Sequence, residues 1–257
     1  MTQQFLNYDQ IESFEHHLFT ERKPFPWFDF EQFLTPEGFE VLYQAFPSLE
    51  LFEQHNGIER MYGQRPHNRY YLAYETSIYG AQKEGQGLVK YKQLPEAWRA
   101  FIREIETSEP YQRLIKQLFR VNKFEIRYAW HVGVTHSEVS PHADAVEKIG
   151  THIFYFNTHQ DWNPDWGGSV LVLDGKQTDA MNPDFTEFTT EIPAQIIDNH
   201  SFLFKNTPGA WHGVKPLTCP EGSYRRLFNV IFETPRARRP LVPAPVSVAK
   251  RLKSIIR

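Results

Sequence analysis

The sequence predicts an α+β chain, mainly β, in which N-terminal helices lead into an antiparallel sandwich or jelly roll. Three observations carry this. Apolar residues recur at helical spacing in three capped segments before residue 120. From Phe124 onward, short β-rich runs alternate with turn clusters. No helical run of about 10 to 15 residues separates those strands, which excludes a parallel βαβ sheet.

Thr35-Pro36-Glu37 supplies an N-cap, a proline at the first helical position and an acidic first turn; Phe39, Leu42, Tyr43 and Phe46 follow on one face. Pro95 opens a second helix with Trp98, Phe101, Ile102 and Ile105 aligned. Ser108 caps a third, carrying Tyr111, Leu114, Ile115, Leu118 and Phe119. Between the first two, the stretch from Gln54 to Gln93 is rich in Gly, Gln, Tyr and Arg and has neither period, so it reads as irregular with short strands. Later strands are FEIRYAWHV, THIFYFN, SVLVLD, SFLFKN and YRRLFNVIF, separated by turns such as THSEVSPH and DWNPDWGG. The expected division is a helical support with substrate-side loops over 1–123, the β core over 124–233, and a Pro-rich linker with a basic tail over 234–257.

A chain of 257 residues, 40% hydrophobic and 15% aromatic, has the means to bury a core, and disorder of the whole chain is excluded. The lone Cys219 excludes an intramolecular disulfide and a Cys-rich zinc module. The start, MTQQFLNYDQIESFEHH, has no basic-then-apolar leader pattern, and no run of about 18 apolar residues occurs. A soluble, cytoplasmic protein is the expectation.

Lys+Arg number 28 against 31 Asp+Glu, but seven of the basic residues lie after position 235. The preceding body therefore carries 21 basic and 31 acidic residues, a net of −10. That argues against a nucleic-acid groove across it. In the tail, Val248, Ala249, Leu252, Ile255 and Ile256 form one apolar stripe beside Lys250, Arg251, Lys253 and Arg257. Docking on the acidic body or a second subunit is one reading; weak, salt-sensitive membrane contact through 246–257 is the other.

The chemistry centres on Ser140-Pro141-His142-Ala143-Asp144. On a strand, residues i and i+2 share a face, so His142 and Asp144 can converge on one ion. With one distant imidazole they would make a 2-His-1-carboxylate set, which leaves open positions on ferrous iron. Downstream come Trp166-Gly167-Gly168-Ser169-Val170, then Phe204, then Trp211-His212-Gly213-Val214, and thirteen residues beyond His212, Arg225.

In this order the chain resembles the Fe(II)/2-oxoglutarate-dependent dioxygenases of the prolyl-4-hydroxylase-like branch. The matching landmarks are Arg127-Tyr128, Pro141-His142-Ala143-Asp144, Tyr155-Phe156-Asn157, Trp166-Gly167-Gly168, Phe204 with His212-Gly213-Val214, and the strand from Arg225 to Phe232. They span about residues 120–233. The resemblance implies a double-stranded β-helix, or jelly roll, with His142, Asp144 and His212 as ligands to Fe(II). It implies 2-oxoglutarate and O2 as cosubstrates, with succinate and CO2 as co-products of hydroxylating an unactivated C–H. The substrate class would be a polar small molecule, a sugar-linked intermediate or a protein side chain. Arg225 would hold the distal carboxylate of 2-oxoglutarate, a task suited to a bidentate guanidinium, with Tyr128 assisting. Arg226 is the competing arginine; alignment through Asn229 and Phe232 selects Arg225. The family hydroxyl two residues after the arginine is replaced by Leu227. A carboxylate at Asp144, where related halogenases have Gly or Ala, favours hydroxylation. The alternative class is a cupin-like metal protein or a degenerate dioxygenase acting as a binding module.

Substrate contacts are expected at His131, Arg69 and Tyr71. The last two lie in a segment, with Arg60, Arg65, Tyr70 and Tyr74, that reads as a lid for a polar substrate such as an amino acid or a phosphorylated or acidic sugar. His152, His159 and His200 lack a carboxylate at metal spacing and read as structural, and Trp211 as packing.

Overall fold

The computed structural model describes residues 3–58, 65, 67–76, 83, 84 and 86–235. The tail predicted over 246–257 and Arg60 of the predicted lid lie outside the described residues.

In chain order the elements are α1 (Tyr8–Ser13), α2 (His17–Thr20), β1 (Trp27–Glu31), α3 (Pro36–Gln44), β2 (Glu53–Ile58), β3 (His67–Tyr74), β4 (Lys83–Glu84), β5 (Gly87–Val89), α4 (Glu96–Thr107), α5 (Glu109–Phe119), β6 (Glu125–Gly133), β7 (Val139–His142), β8 (Lys148–Tyr155), β9 (Leu171–Lys176), β10 (Phe188–Pro193), β11 (His200–Lys205), β12 (His212–Val214) and β13 (Arg225–Glu233). The three predicted helices form where their caps place them. Thr35 Oγ1 accepts from the Gly38 N–H at 3.0 Å, and Ser108 Oγ from that of Tyr111 at 3.3 Å. Arg120, in the left-handed region at φ 56°, ends α5.

The strands form two sheets, one ordered β1-β11-β8-β13-β6-β3-β5-β4 with β2 also on β3, the other β10-β9-β12-β7. This is the expected jelly roll with N-terminal helical support. Pairings are antiparallel except β3 with β5 and β5 with β4. The large sheet draws strands from both halves of the chain. β1 pairs along β11, and β3 pairs with β6 through Tyr70–Val132 to Ala73–Ala129. The segment expected to be irregular thus contains an eight-residue strand, β3. Its polar side chains line an interior, so hydrophobic alternation was absent from it.

Strand alternation gives the large sheet two unlike faces. The outer face carries Tyr128, Trp130, Val132, Phe154, Phe228, Val230 and Phe232, which pack with α4 and α5 residues in one core. Trp98, fully buried, meets Trp130, Phe156 and Phe228 edge-on at ring distances of 5.2, 5.2 and 5.0 Å. His152 belongs to this face as well. Its Nδ1 lies 3.1 Å from the Tyr111 hydroxyl and its Nε2 3.0 Å from Ser201 Oγ, and burial pushes its pKa down to about 3. It is a neutral structural histidine.

The inner face meets the small sheet across a second core that includes Tyr155, Val172, Phe202, Phe204, Val214 and Leu227. Here the candidate site lies. Among the described residues no helix is long and apolar enough to cross a membrane.

Candidate functional site

β7 and β12 pair antiparallel with His212 directly opposite His142, their ring centroids 4.3 Å apart. Asp144 follows two residues later. One ligand atom from each of His142, Asp144 and His212 lies within 4.8 Å of the others. The convergence differs in one respect from the expected strand argument: β7 ends at His142, so Asp144 sits in the turn beyond it. That turn is fixed by other contacts. Asn206 Nδ2 donates to the Ala145 and Lys148 carbonyls at 3.0 Å each, and Lys148 Nζ donates to Asp144 Oδ1 at 2.6 Å.

The donor set fits a divalent metal. Each histidine has its Nδ1 against a backbone carbonyl, His142 on Ser140 at 3.0 Å and His212 on Ala210 at 2.9 Å. An Nδ1–H bonded in this way leaves Nε2 as the lone-pair donor and fixes ring orientation. Burial works against ionisation of Asp144. The Lys148 ammonium and the imidazoles of His212 and His142 outweigh it and hold the carboxyl well below the usual range. The third ligand is therefore ionised across the physiological range. Phe204 from the large sheet packs on His212 at 4.7 Å and closes one side.

Arg225 opens β13 opposite Gly133 and faces inward, 7% exposed. Its Nε and Nη2 are buried without a well-formed hydrogen bond; the Tyr155 hydroxyl is the group that faces the guanidinium, the ring centroid 5.4 Å from the guanidinium carbon. Burial lowers the Arg225 pKa while Tyr155 raises it. Orphaned buried donors of this kind are costly unless a ligand satisfies them. Gly168 makes room for the guanidinium. At φ +97°, a Cβ there would stand 2.8 Å from Arg225 Cδ. Gly168 thus serves close packing against this arginine, whereas Gly167 has open space around it and is set by its φ of +80°.

Arg226 points the other way. It pairs with Asp161 and lies over the Tyr43 ring, 4.5 Å from its centroid.

The expected role of Tyr128 does not fit its placement. Tyr128 lies on the outer, helix-covered face, 2% exposed, stacked on Phe228 at 5.7 Å, with its hydroxyl 3.4 Å from Glu106 Oε1. Its position opposite Val230 puts the sheet between it and Arg225. Tyr155, opposite Leu227, occupies the inner face instead. In the sequence Tyr155 stands only as part of the Tyr155-Phe156-Asn157 landmark, with no cosubstrate role attached. Its alternation with His152 and Phe154, and its phase against Arg225, were the available signal. Its hydroxyl also stands near the position where Leu227 lacks one.

His131, Tyr71 and Arg69 share the inner face. Tyr71 is opposite His131, with rings 5.0 Å apart, and its other side stacks on His55 at 5.2 Å and 16°. Asn229 Nδ2 lies 3.5 Å from His131 Nε2. Neither His55 nor Asn229 was singled out beforehand. Of the other residues in the expected lid, Arg65 binds Glu138 at 2.6 Å and Asp184 at 3.0 Å, tying the chain between β2 and β3 to the small-sheet side. Tyr70 and Tyr74 pack against the outer core. Trp211 packs outside the small sheet, against Phe188 at 5.8 Å and beneath the Lys176 ammonium at 4.4 Å.

No protein-family model and no curated protein sequence matches the chain. Solved structures do. A Pseudomonas putida prolyl-4-hydroxylase aligns over 86% of this chain and 98% of its own, at 11% identity and a TM-score of 0.55. The non-heme alpha-ketoglutarate-dependent carbocyclase SnoK from nogalamycin biosynthesis aligns over 87% and 85%, at 13% identity and 0.54. A 2OG-Fe(II) oxygenase family oxidoreductase from Burkholderia pseudomallei aligns over 89% and 92%, at 11% and 0.52. At such identities the likeness establishes the shared jelly-roll fold. A hydroxylase and a carbocyclase stand side by side among these structures, so the fold leaves the reaction outcome to the site.

Proposed function

We propose that this chain is an Fe(II)/2-oxoglutarate-dependent oxygenase that hydroxylates an unactivated C–H of a polar small molecule, a sugar-linked intermediate or a protein side chain. The observation that carries the reading is the buried Arg225 guanidinium. It has two donors without a well-formed hydrogen bond and lies on the inner face of the large sheet, the face that meets the sheet carrying His142 and His212. A metal-binding module needs the three ligands but has no use for an orphaned buried cation beside them. A cosubstrate carrying a carboxylate accounts for both.

In this reading His142 and His212 offer Nε2, and the ionised Asp144 supplies the third donor and partly neutralises the metal charge. Arg225 and Tyr155 hold the distal carboxylate of 2-oxoglutarate, two guanidinium donors and one hydroxyl replacing the water that carboxylate gives up. Bound ferrous iron would supply the activation of O2, so that R–H, O2 and 2-oxoglutarate give R–OH, succinate and CO2. The filled carboxylate position at Asp144 supports hydroxylation over halide transfer. Phe204 and the surrounding apolar residues keep water from the site. His131, Arg69 and Tyr71 are the proposed substrate contacts.

The test is anaerobic loading with Fe(II) and 2-oxoglutarate, then O2, with succinate measured against metabolite and peptide pools. We expect succinate to rise with one pool and to be absent with Asp144→Ala. Succinate formation that is equal in the variant would remove the assignment.

A further inference from the structure

The inner face of the large sheet continues past Arg225 onto strands that the roll itself does not supply. Reading across it, Arg225 is opposite Gly133, and the register of Tyr70 with Val132 sets Arg69 beside Gly133 on the far side. Arg69 is in turn opposite His55 on β2. Two guanidinium side chains therefore flank a residue with no side chain, on backbones about 10 Å apart at normal strand spacing. Consistent with this, Arg69 is one of the charges that lower the Arg225 pKa, after burial. The next row runs Tyr71, His131, Leu227, Tyr155. His55 and Tyr71 are each 1% exposed and His131 is 8% exposed, so the wall is polar, aromatic and buried. Burial lowers the His55 pKa against the pull of the Glu53 carboxylate, which lies 3.3 Å from its Nε2 at the β2 edge of the wall.

We propose that this wall, with Arg69 as its cationic group, Tyr71, His55 and His131 around it and Glu53 held against His55 on β2, binds a carboxylate or phosphate on the molecule being oxidised. The inference rests on the oxygenase reading and specifies its substrate class as anionic. Position separates it from the cosubstrate site. Tyr155 marks the β8 side of Arg225, whereas Arg69 stands two strands away on the β3 side. A cosubstrate seated between Arg225 and Tyr155 leaves the Arg69 side for a second ligand. A guanidinium gives such a ligand paired N–H donors, which is how carboxylate and phosphate are best held. The flanking rings would pack on its carbon skeleton.

The experiment is calorimetry on the Mn(II)-loaded protein saturated with 2-oxoglutarate. The probes are glucose 6-phosphate and glucuronate against glucose, and N-acetylglutamate against its neutral diamide. We expect at least one anion to bind, with its neutral counterpart about tenfold weaker or worse. Arg69→Met should weaken that anion by about tenfold or more, and Arg69→Lys by less, while 2-oxoglutarate affinity changes by under about twofold in both. If Arg69→Met unfolds, the Lys variant still has to show selective weakening of the anion. The proposal is overturned if no anion binds, if neutral and anionic probes bind equally, or if the Arg69 variants bind the anion unchanged. It is also overturned if Arg69→Met weakens 2-oxoglutarate as much as Arg225→Met does. Failure of 2-oxoglutarate to bind the unaltered Mn(II)-loaded protein would instead overturn the oxygenase reading beneath it.

Discussion

The two faces of the large sheet are built from the same strands and obey opposite rules. On β13, Phe228, Val230 and Phe232 turn outward into an aromatic core, while Arg225 and Asn229 turn inward with buried polar atoms left unsatisfied. On the outer face the buried atoms left unmatched are the neutral indole N–H groups of Trp98 and Trp130, while His152 has a hydroxyl at each ring nitrogen. The outer face therefore carries stability. The inner face spends some of it to keep charged and polar groups dry and available.

The sharpest break between the faces is expected in function. Asp144→Ala or His212→Ala should abolish turnover and metal binding. His212→Ala should leave the urea unfolding midpoint of the metal-free protein nearly unchanged, because open catalytic ligands contribute little to folding, whereas Asp144→Ala should also lower it by removing the Lys148 pair. Trp98→Ala reverses the pattern. Loss of its packing should cost about 3–5 kcal/mol in urea unfolding, with metal stoichiometry intact in the folded fraction. A Trp98 variant of unchanged stability would show that the outer core is not the support described.

Arg225→Met and Arg226→Met test the assignment of faces within one dipeptide. Losing the inward guanidinium should weaken 2-oxoglutarate by about 2–5 kcal/mol, and losing the outward one by almost nothing. Steady-state titration of the cosubstrate reads both, and a reversed order would mean that β13 is displaced by one residue.

Gly168→Ala is expected to act through Arg225, since its Cβ would meet the arginine side chain and its φ of +97° disfavours any side chain. The KM for 2-oxoglutarate should rise more than kcat falls. A loss of kcat alone would place the effect elsewhere.

The smallest effect concerns His152. Its folded pKa of about 3 lies below the ordinary histidine value of 6.5. The unfolded chain therefore binds a proton that the folded one refuses, and stability present above pH 6.5 declines as pH falls toward about 3. His152→Gln should flatten that part of the pH–stability curve, as followed by thermal melts between pH 7 and about pH 5.

How much of this was legible in the sequence follows the same division. Helices α3, α4 and α5 could be read because caps and a 3.6-residue apolar period both write them, and their apolar faces meet the outer face of the sheet. Strands β1 and β3 could not. β3 reads HNRYYLAY because its inward positions Arg69 and Tyr71 line a polar interior, which removes the alternation that identifies a half-buried strand. The His142, Asp144 and His212 cluster was legible from one short motif and one distant His-Gly-Val. The inner-face tyrosine proposed for the cosubstrate was not, because a two-letter landmark does not fix strand phase, and one residue of slip exchanges the faces. Arg225 was phased by a nine-residue strand with Asn229 and Phe232 on opposite faces; Tyr128 had no comparable anchor. Asp144 does come together with the two histidines, as the strand argument expects, but from a turn held by the Lys148 and Asn206 contacts.

The most direct measurement is calorimetric titration of 2-oxoglutarate into the protein with and without Mn(II). The account predicts binding that requires the metal and is lost in Asp144→Ala. Binding of equal strength without metal, or undiminished in Asp144→Ala, would contradict it.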